Sequence, residues 1–352
     1  MKKPVTTMML ALALPALILT GCATSNQPGT DSSTAPDAAV SGETTLQPTT
    51  KDGPLKIAFV PVVMNTSYDM VLSGLKEEVE RQGGDDFAEI LVQAPSGNTS
   101  SLQEQPNILE GLIQQDVDAI ALATEDQGAM LPYIKAAADK GIPVFLFNMA
   151  EVSADDPYYV TNVSFDQYEA SHLIGEWAID HFDGADTQVA VLEGFPGLVN
   201  SQRLDGFMDA LADQSNFDVV ASQPADWTRA KGQSVTENIL QANPDVNFIY
   251  GLYDEMALGA VAAIKGAGKL DDIVVAGYDN TRDGYESIKA GELAATVDTA
   301  SKAMGVGLVL AIKDFVVDGK KIPRSIMQDL KVYDQTNIDS FNTDNYTYVP
   351  QG

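Results

Sequence analysis

From Leu55 onward the chain alternates between two hydrophobic periods. The continuous apolar run LKIAFVPVV (55–63), rich in β-branched residues and bounded by Pro54 and Asn65, reads as a strand buried on both faces. In the next segment, YDMVLSGLKEEVERQGG, the apolar positions Met70, Val71, Leu75 and Val79 recur at helical spacing, and Gly83-Gly84 end the pattern. The alternation continues with FAEILVQ (strand), LQEQPNILEGLIQQ (helix, interrupted or begun at Pro106), VDAIALAT (strand), GAMLPYIKAAADKG (helix) and PVFLFN (strand). After YYVTNV comes the helix QYEASHLIGEWAIDHF. Then QVAVLEG, SQRLDGFMDALAD, FDVVASQ, RAKGQSVTENILQAN, NFIYGLY, EMALGAVAAIKGAG, DIVVAGYD, TRDGYESIKAG and LAATVDT alternate strand and helix, and the long helix SKAMGVGLVLAIKDFVVDG precedes a C-terminal tail.

Strands alternating with helices predict an α/β fold with parallel sheets covered on both faces. Ten or so strands are too many for one comfortable sheet, and about 300 residues exceed what one core supports, so two open α/β domains are expected. In such sheets ligands sit beyond the carboxyl ends of the strands.

The first fifty residues follow a different pattern. Lys2 and Lys3 precede an apolar run, Met8 to Thr20, that is too short to span ~30 Å of hydrocarbon. This is the layout of a secretory signal, residues 1–21. Leu19-Thr20-Gly21-Cys22 resembles a bacterial lipobox, in which the cysteine is acylated and becomes the first residue of the mature chain. Cys22 is the single cysteine, so an intramolecular disulfide is excluded and a lipid tether to the outer face of a membrane is expected. Residues 22–54, rich in Ser, Thr, Pro, Gly and Ala, cannot bury enough surface to order themselves and read as a flexible linker with a reach of roughly 30 Å.

Charge and motifs narrow the chemistry. With 50 acidic against 21 basic residues, the formal net charge of −29 excludes nucleic acid as a partner. There is no phosphate-binding lysine loop, no glycine-rich dinucleotide turn and no nucleophile elbow. His172 and His181 lie on one predicted helix and read as surface residues, and no acidic segment has calcium-loop spacing, so neither a metal nor a cofactor is expected.

What stands at the strand ends is a mixture of aromatic plates, short polar groups and one guanidinium: Asn65, Ser67 and Tyr68; Asn148; Arg203; Trp227; Tyr253 and Asp254; Asp279. Aromatic faces pack on the C–H faces of a sugar, carboxylates and amides exchange hydrogen bonds with hydroxyls, and arginine offers a rigid fork of donors. Each also has a purely structural explanation. Asp254 and Glu255 in particular, like Asp166, suit a helix start.

The stretches SQPADWTRAKG (222–232), DEMALGAVAAIKGAG (254–268) and VVAGYDNTRDGYESIKAGELAAT (274–296) resemble the ribose-binding protein family, type I periplasmic solute-binding proteins of ABC importers. The likeness covers nearly everything after Leu55. It implies two Rossmann-like domains joined by three hinge crossings that close on a sugar: a first lobe of residues 55–165 plus about 299–327, and a second of 166–298 plus about 328–352. It implies ligand contacts at Asn65, Tyr68, Arg203, Trp227 and Asp279. The family's Asp-Arg pair after PVFLF is here Asn148-Met149, a phenylalanine is replaced by Ser67, an asparagine by Tyr253 and a glutamine by Thr299. The altered set implies a ligand other than ribose: another pentose, a hexose, a polyol or a furanosyl signal.

The resemblance therefore implies a monomeric, lipid-anchored extracytoplasmic receptor, without enzymatic activity, that delivers a neutral sugar or polyol to an ABC permease in the membrane of the cell envelope. A ligand-sensing receptor for a chemotaxis or sensor-kinase system is the alternative, followed by an enzyme on the same scaffold.

Overall fold

The computed structural model describes residues 44–96, 101–153 and 155–346; the signal segment, Cys22 and the linker up to residue 43 lie outside the described residues. The strands divide into two six-stranded sheets. The first holds β1 (Leu55–Val60), β2 (Ala88–Val92), β3 (Ala119–Leu122), β4 (Val144–Phe147), β5 (Tyr159–Ser164) and β11 (Ser325–Met327) in the order β11-β5-β4-β3-β1-β2, all parallel. The second holds β6 (Thr187–Glu193), β7 (Phe217–Pro224), β8 (Phe248–Gly251), β9 (Val274–Tyr278), β10 (Ala295–Asp298) and β12 (Lys331–Asp334) in the order β12-β10-β9-β8-β6-β7. Only β12 departs from parallel pairing, with Val332 opposite Val297 on β10. Among the described residues no helix is long and apolar enough to cross a membrane.

The continuous apolar runs are explained by burial on both faces. Along β1, Ile57 and Phe59 pack with Val71 and Leu75 of α1 (Thr66–Gln82), while Ala58 and Val60 face the opposite way, onto Leu109 and Leu112 of α2 (Ser101–Gln114) and Ile134 of α3 (Gln127–Asp139). Both sets are solvent-free, and each large side chain so buried contributes roughly 1.5–3 kcal/mol. The second sheet is covered by α4 (Gln167–Phe182), α5 (Leu198–Leu211), α6 (Arg229–Ala242), α7 (Asp254–Ala267) and α8 (Arg282–Lys289). The ninth helix, α9 (Ser301–Ile312), packs along α1 in the first lobe.

Neighbouring helices approach closely where a glycine of one faces the backbone of the other. A methyl group at Gly305 would lie 1.9 Å from the Val71 carbonyl oxygen, one at Gly206 would lie 2.1 Å from that of Tyr168, and one at Gly259 2.2 Å from that of Arg229. The helix predicted to break or begin at Pro106 instead runs through it, as α3 runs through Pro132; a proline in the second turn removes one backbone hydrogen bond, and the packed apolar face outweighs that loss. The tail yields β11 and β12, three and four residues long and half-exposed, too short to leave an apolar run.

The chain passes from the first sheet to the second between β5 and α4, back between β10 and α9, and across again between β11 and β12. Residues 44–51, assigned to the linker by composition, run along the base of the first lobe at the amino ends of its strands. There Thr45 N–H donates to Pro157 O at 2.8 Å, and Thr49 and Lys51 donate to Phe315 and Val316 at 2.9 Å.

Candidate functional site

The carboxyl ends of the two sheets face each other, and nine of the residues singled out above meet there: Asn65, Ser67, Tyr68, Asn148, Arg203, Trp227, Tyr253, Asp279 and Thr299. Asn65 is the N-cap of α1: its Oδ1 accepts from Tyr68 N–H at 3.0 Å, which holds the first turn, with Ser67 and Tyr68, against the ends of β1 and β4. Ser67 Oγ donates to Asp279 Oδ2 at 2.6 Å, a direct bond from the first lobe to the second. The other carboxylate oxygen of Asp279 accepts from Thr299 Oγ1 at 3.2 Å, and Thr299 shares a further hydrogen bond with Ser301.

A second chain of contacts crosses the lobes at the end of β4, two strands from β1. Asn148 Nδ2 donates to the Tyr68 hydroxyl at 3.2 Å, Gln167 Nε2 donates to Asn148 Oδ1 at 3.2 Å, and Gln167 Oε1 accepts from Arg203 Nε at 2.8 Å and from the Tyr278 hydroxyl at 3.0 Å. Arg203 Nη1 also donates to Leu252 O at 2.7 Å, and its guanidinium lies 3.8 Å from the Tyr278 ring centre and 5.3 Å from that of Trp227. Trp227 is seated on Gly194, where a methyl group would come within 1.8 Å of the indole.

Met149 stands apart from the other nine. Its side chain turns into the core between β4 and the helices α2 and α3, and its sulfur takes the Thr124 N–H. Tyr253 is buried at the start of α7, its hydroxyl beside Thr66 and Ser67 but without a well-formed hydrogen bond to either. Asp166 caps α4 at Glu169 N–H, as its helix-start reading anticipates. Asp254 does more than begin α7: it is solvent-free and accepts from Thr281 N–H, the Thr281 hydroxyl and the Thr296 hydroxyl at 2.6, 3.0 and 2.8 Å, bracing the loop that carries Asp279.

Burial sets the protonation states. It pushes Tyr68 up to about 12, against a smaller lowering from the Asn148 hydrogen bond, and raises Tyr253 and Tyr278 further, so these phenols are neutral donors. Burial also raises Asp254 to about 7, its hydrogen bonds offsetting only part of the desolvation. Of the eight non-glycine residues with positive φ among the described residues, six (Asn148, Asp226, Trp227, Asp279, Asn280 and Ala300) lie at these strand ends or at the lobe crossing. Backbone strain is thus concentrated where side chains must be aimed between the lobes.

Gln167 and Tyr278 are the site residues that sequence reasoning missed. Tyr278 closes an apolar strand and reads as core; Gln167 is one residue past Asp166, which drew attention only as a cap. Position alone, the first helical residue after a lobe crossing, is the signal that could have found Gln167. Among the described residues no group of His, Cys, Asp and Glu is placed to hold a metal ion.

Two facing α/β lobes with a polar and aromatic seam between their strand ends define a binding protein rather than a hydrolytic or redox site. Residues 57–321 match the periplasmic binding protein domain, and the chain belongs to that family. It is 34% identical over 277 residues to the ribose import binding protein of Bacillus subtilis, covering 78% of this chain and 86% of that one. It is 30% identical over 305 residues to the D-ribose/D-allose-binding protein of Pseudomonas aeruginosa, covering 85% and 89%. These relatives are binding proteins, not enzymes. Among solved structures, a galactofuranose binding protein superposes with a TM-score of 0.74 at 27% identity, covering 82% of this chain and 97% of that one. A D-allose-bound solute binding protein from Actinobacillus succinogenes gives 0.72 at 27%, covering 82% and 100%.

Proposed function

We propose that this protein is the extracytoplasmic solute-binding component of an ABC importer, and that it binds a neutral sugar between its lobes and closes on it by rotation about the three crossings. The observation that carries the reading is the seam itself: Ser67 to Asp279, and Tyr68 through Asn148 and Gln167 to Arg203, join groups suited to sugar hydroxyls across the lobes, with Trp227 as an aromatic wall. In this reading Asn65, Ser67, Tyr68, Asn148, Arg203, Trp227, Tyr253, Asp279 and Thr299 surround the ligand, and Met149 supports Asn148 from the core side.

The boundaries that follow are a first lobe of 55–165 with about 299–327 and a second of 166–298 with about 328–352. The mature chain would begin at Cys22, lipid-anchored to the membrane that holds its permease, and act as a monomer. The printed ligands of the relatives favour ribose, allose and galactofuranose as the first compounds to try.

A thermal-shift and calorimetric panel of pentoses, hexoses and their furanose forms tests this. A ligand present at 100 times its Kd adds ~2.7 kcal/mol to the folded state. A shift with amino acids or nucleosides and none with any carbohydrate defeats the proposal. Incorporation of labelled fatty acid in the native host, lost in Cys22→Ala, tests the anchor.

A further inference from the structure

We infer that Tyr68 and Asn148 present hydrogen-bond donors to the ligand from the first lobe, that Gln167 sets this polarity, and that the ligand is accordingly a cyclic sugar whose ring oxygen, an acceptor only, faces these two side chains. The inference rests on the sugar-binding reading above and goes beyond it by specifying which atom of the sugar meets which lobe.

The hydrogens available to each side chain fix the polarity. Arginine has donors and no acceptor, so the atom of Gln167 that meets Arg203 Nε at 2.8 Å is the carbonyl oxygen, and the same oxygen takes the Tyr278 hydroxyl hydrogen at 3.0 Å. The amide nitrogen of Gln167 therefore faces Asn148 and has a hydrogen to give; it must meet Oδ1, at 3.2 Å. That orients the Asn148 amide in turn: Nδ2 faces Tyr68 and donates to its oxygen at 3.2 Å. An obligate donor at one end thus fixes every amide in between, and orientations that are ordinarily ambiguous are determined here by the network.

At the far end the Tyr68 oxygen is already an acceptor, so its own hydrogen is the one left to give. Tyr68 lies on the first turn of α1 at the seam, close enough to Arg203, Asp279 and Glu125 to feel their charges, and burial keeps it protonated up to about 12. The second Nδ2 hydrogen of Asn148 is a further donor beside it. On the second lobe Arg203 is a donor, engaged with Gln167 and Leu252, while Asp279 can only accept, its two oxygens engaging Ser67 and Thr299. Sugar hydroxyls both donate and accept and so satisfy Asp279, whereas two neighbouring donors are best met by an oxygen without a hydrogen. In a furanose or pyranose that is the ring oxygen. An open-chain polyol has none, and must turn one of its own hydroxyl hydrogens away from Tyr68 and Asn148.

Matched pairs test this: D-ribose against ribitol and D-galactose against galactitol, by calorimetry on the purified protein. In at least one pair the cyclic member is expected to bind roughly tenfold tighter or more, the cost of leaving a buried donor badly paired. Gln167→Glu keeps the volume and the bonds to Arg203 and Tyr278 but has no hydrogen for Asn148. Asn148 then turns its amide toward the introduced carboxylate and its oxygen toward Tyr68, takes the phenolic hydrogen, and the cyclic-to-polyol ratio falls toward one. A purely structural role would weaken both members of a pair together and leave the ratio unchanged.

Equal binding within every pair that binds, or an unchanged ratio in Gln167→Glu, overturns the inference. A ligand-free readout separates it from the sugar reading. In the wild-type protein the Asn148 side-chain amide protons, assigned by their loss in Asn148→Asp, should show nuclear Overhauser contacts to the Tyr68 ring. Contacts to Gln167 in their place overturn the polarity without reference to any ligand. If the contacts to Tyr68 are found but no carbohydrate binds, it is the sugar reading that has failed, and the ring-oxygen assignment falls with it.

Discussion

Ser67 on the first lobe and Asp279 on the second are joined directly, hydroxyl to carboxylate, at 2.6 Å, and both side chains are buried. The bond is charge-assisted and shielded from water, so it favours the lobe-to-lobe contact by about 1.5–3 kcal/mol. Ser67→Ala is expected to shift ligand-free molecules toward a more open arrangement, seen as a larger radius of gyration in small-angle scattering. Asp279→Ala should also weaken sugar binding by a few kcal/mol, because the variant lacks the acceptor for hydroxyls. Wild-type affinity in Asp279→Ala would remove this residue from the ligand site.

Arg203 is held more deeply than a ligand-gripping arginine on an open rim. It donates to Gln167 and Leu252 and lies 3.8 Å from the Tyr278 ring centre. Arg203→Ala should therefore cost stability as well as affinity, by about 1–3 kcal/mol for the acceptors left unpaired, read from the urea midpoint. Unchanged stability would mean that water replaces the guanidinium without loss.

The indole of Trp227 depends on the glycine beneath it. In Gly194→Ala the new methyl group would stand 1.8 Å from the ring, so the indole must leave its seat. Trp177, which donates to Asp334 at 3.0 Å, is the other tryptophan. Comparison with Trp227→Phe should thus show the Trp227 emission of Gly194→Ala moving to longer wavelength, along with weaker sugar binding.

Asp254 predicts a pH dependence of stability. Its folded pKa of about 7 lies above the ordinary value of 3.8, so between them the folded chain keeps a proton that the unfolded chain has released. Stability contributed at this position is full at the acid end, below about 4, and is lost as pH rises toward about 7. Asp298, raised to about 6 by burial, acts in the same direction, so the test is a difference. Asp254→Asn can still accept from Thr281 and can donate to the Thr296 hydroxyl. Its stability curve should be flatter than that of the wild type between pH 4 and 7, by a few kcal/mol over the range.

At the glycine contact between α4 and α5, Gly206→Ala forces a methyl group to within 2.1 Å of the Tyr168 carbonyl oxygen. Separating the helices should cost about 1–3 kcal/mol, a loss visible in thermal unfolding. An exposed control, Gly266→Ala, meets nothing within 4 Å and should be neutral or slightly stabilising.

Much of this molecule is legible along the chain because its information is periodic. The runs at Leu55, Val144, Phe248 and Val274 are apolar on both faces, which only a sheet covered on both sides can use, and QYEASHLIGEWAIDHF is α4 to the residue. Strand ends then mark where Asn65, Asn148, Trp227 and Asp279 emerge. Met149 shows the limit of that logic: adjacent to Asn148, it faces the core, because the backbone turns between them at the positive φ of Asn148. The strands β11 and β12 were illegible because three or four residues carry no period, and they exist only because neighbouring edges offer them hydrogen bonds.

Local order, the two sheets and the chemistry available at their rims thus follow from residue type and spacing, since periodicity and turn preference act within a few positions of the chain. Which amide faces which, that Ser67 meets Asp279 across 212 positions, and that Gln167 stands between Asn148 and Arg203 follow only from the docking of the lobes. Hydrogen bonds between groups so far apart in the chain depend on ångström-scale placement and donor count, and neither quantity is written into any one stretch of sequence.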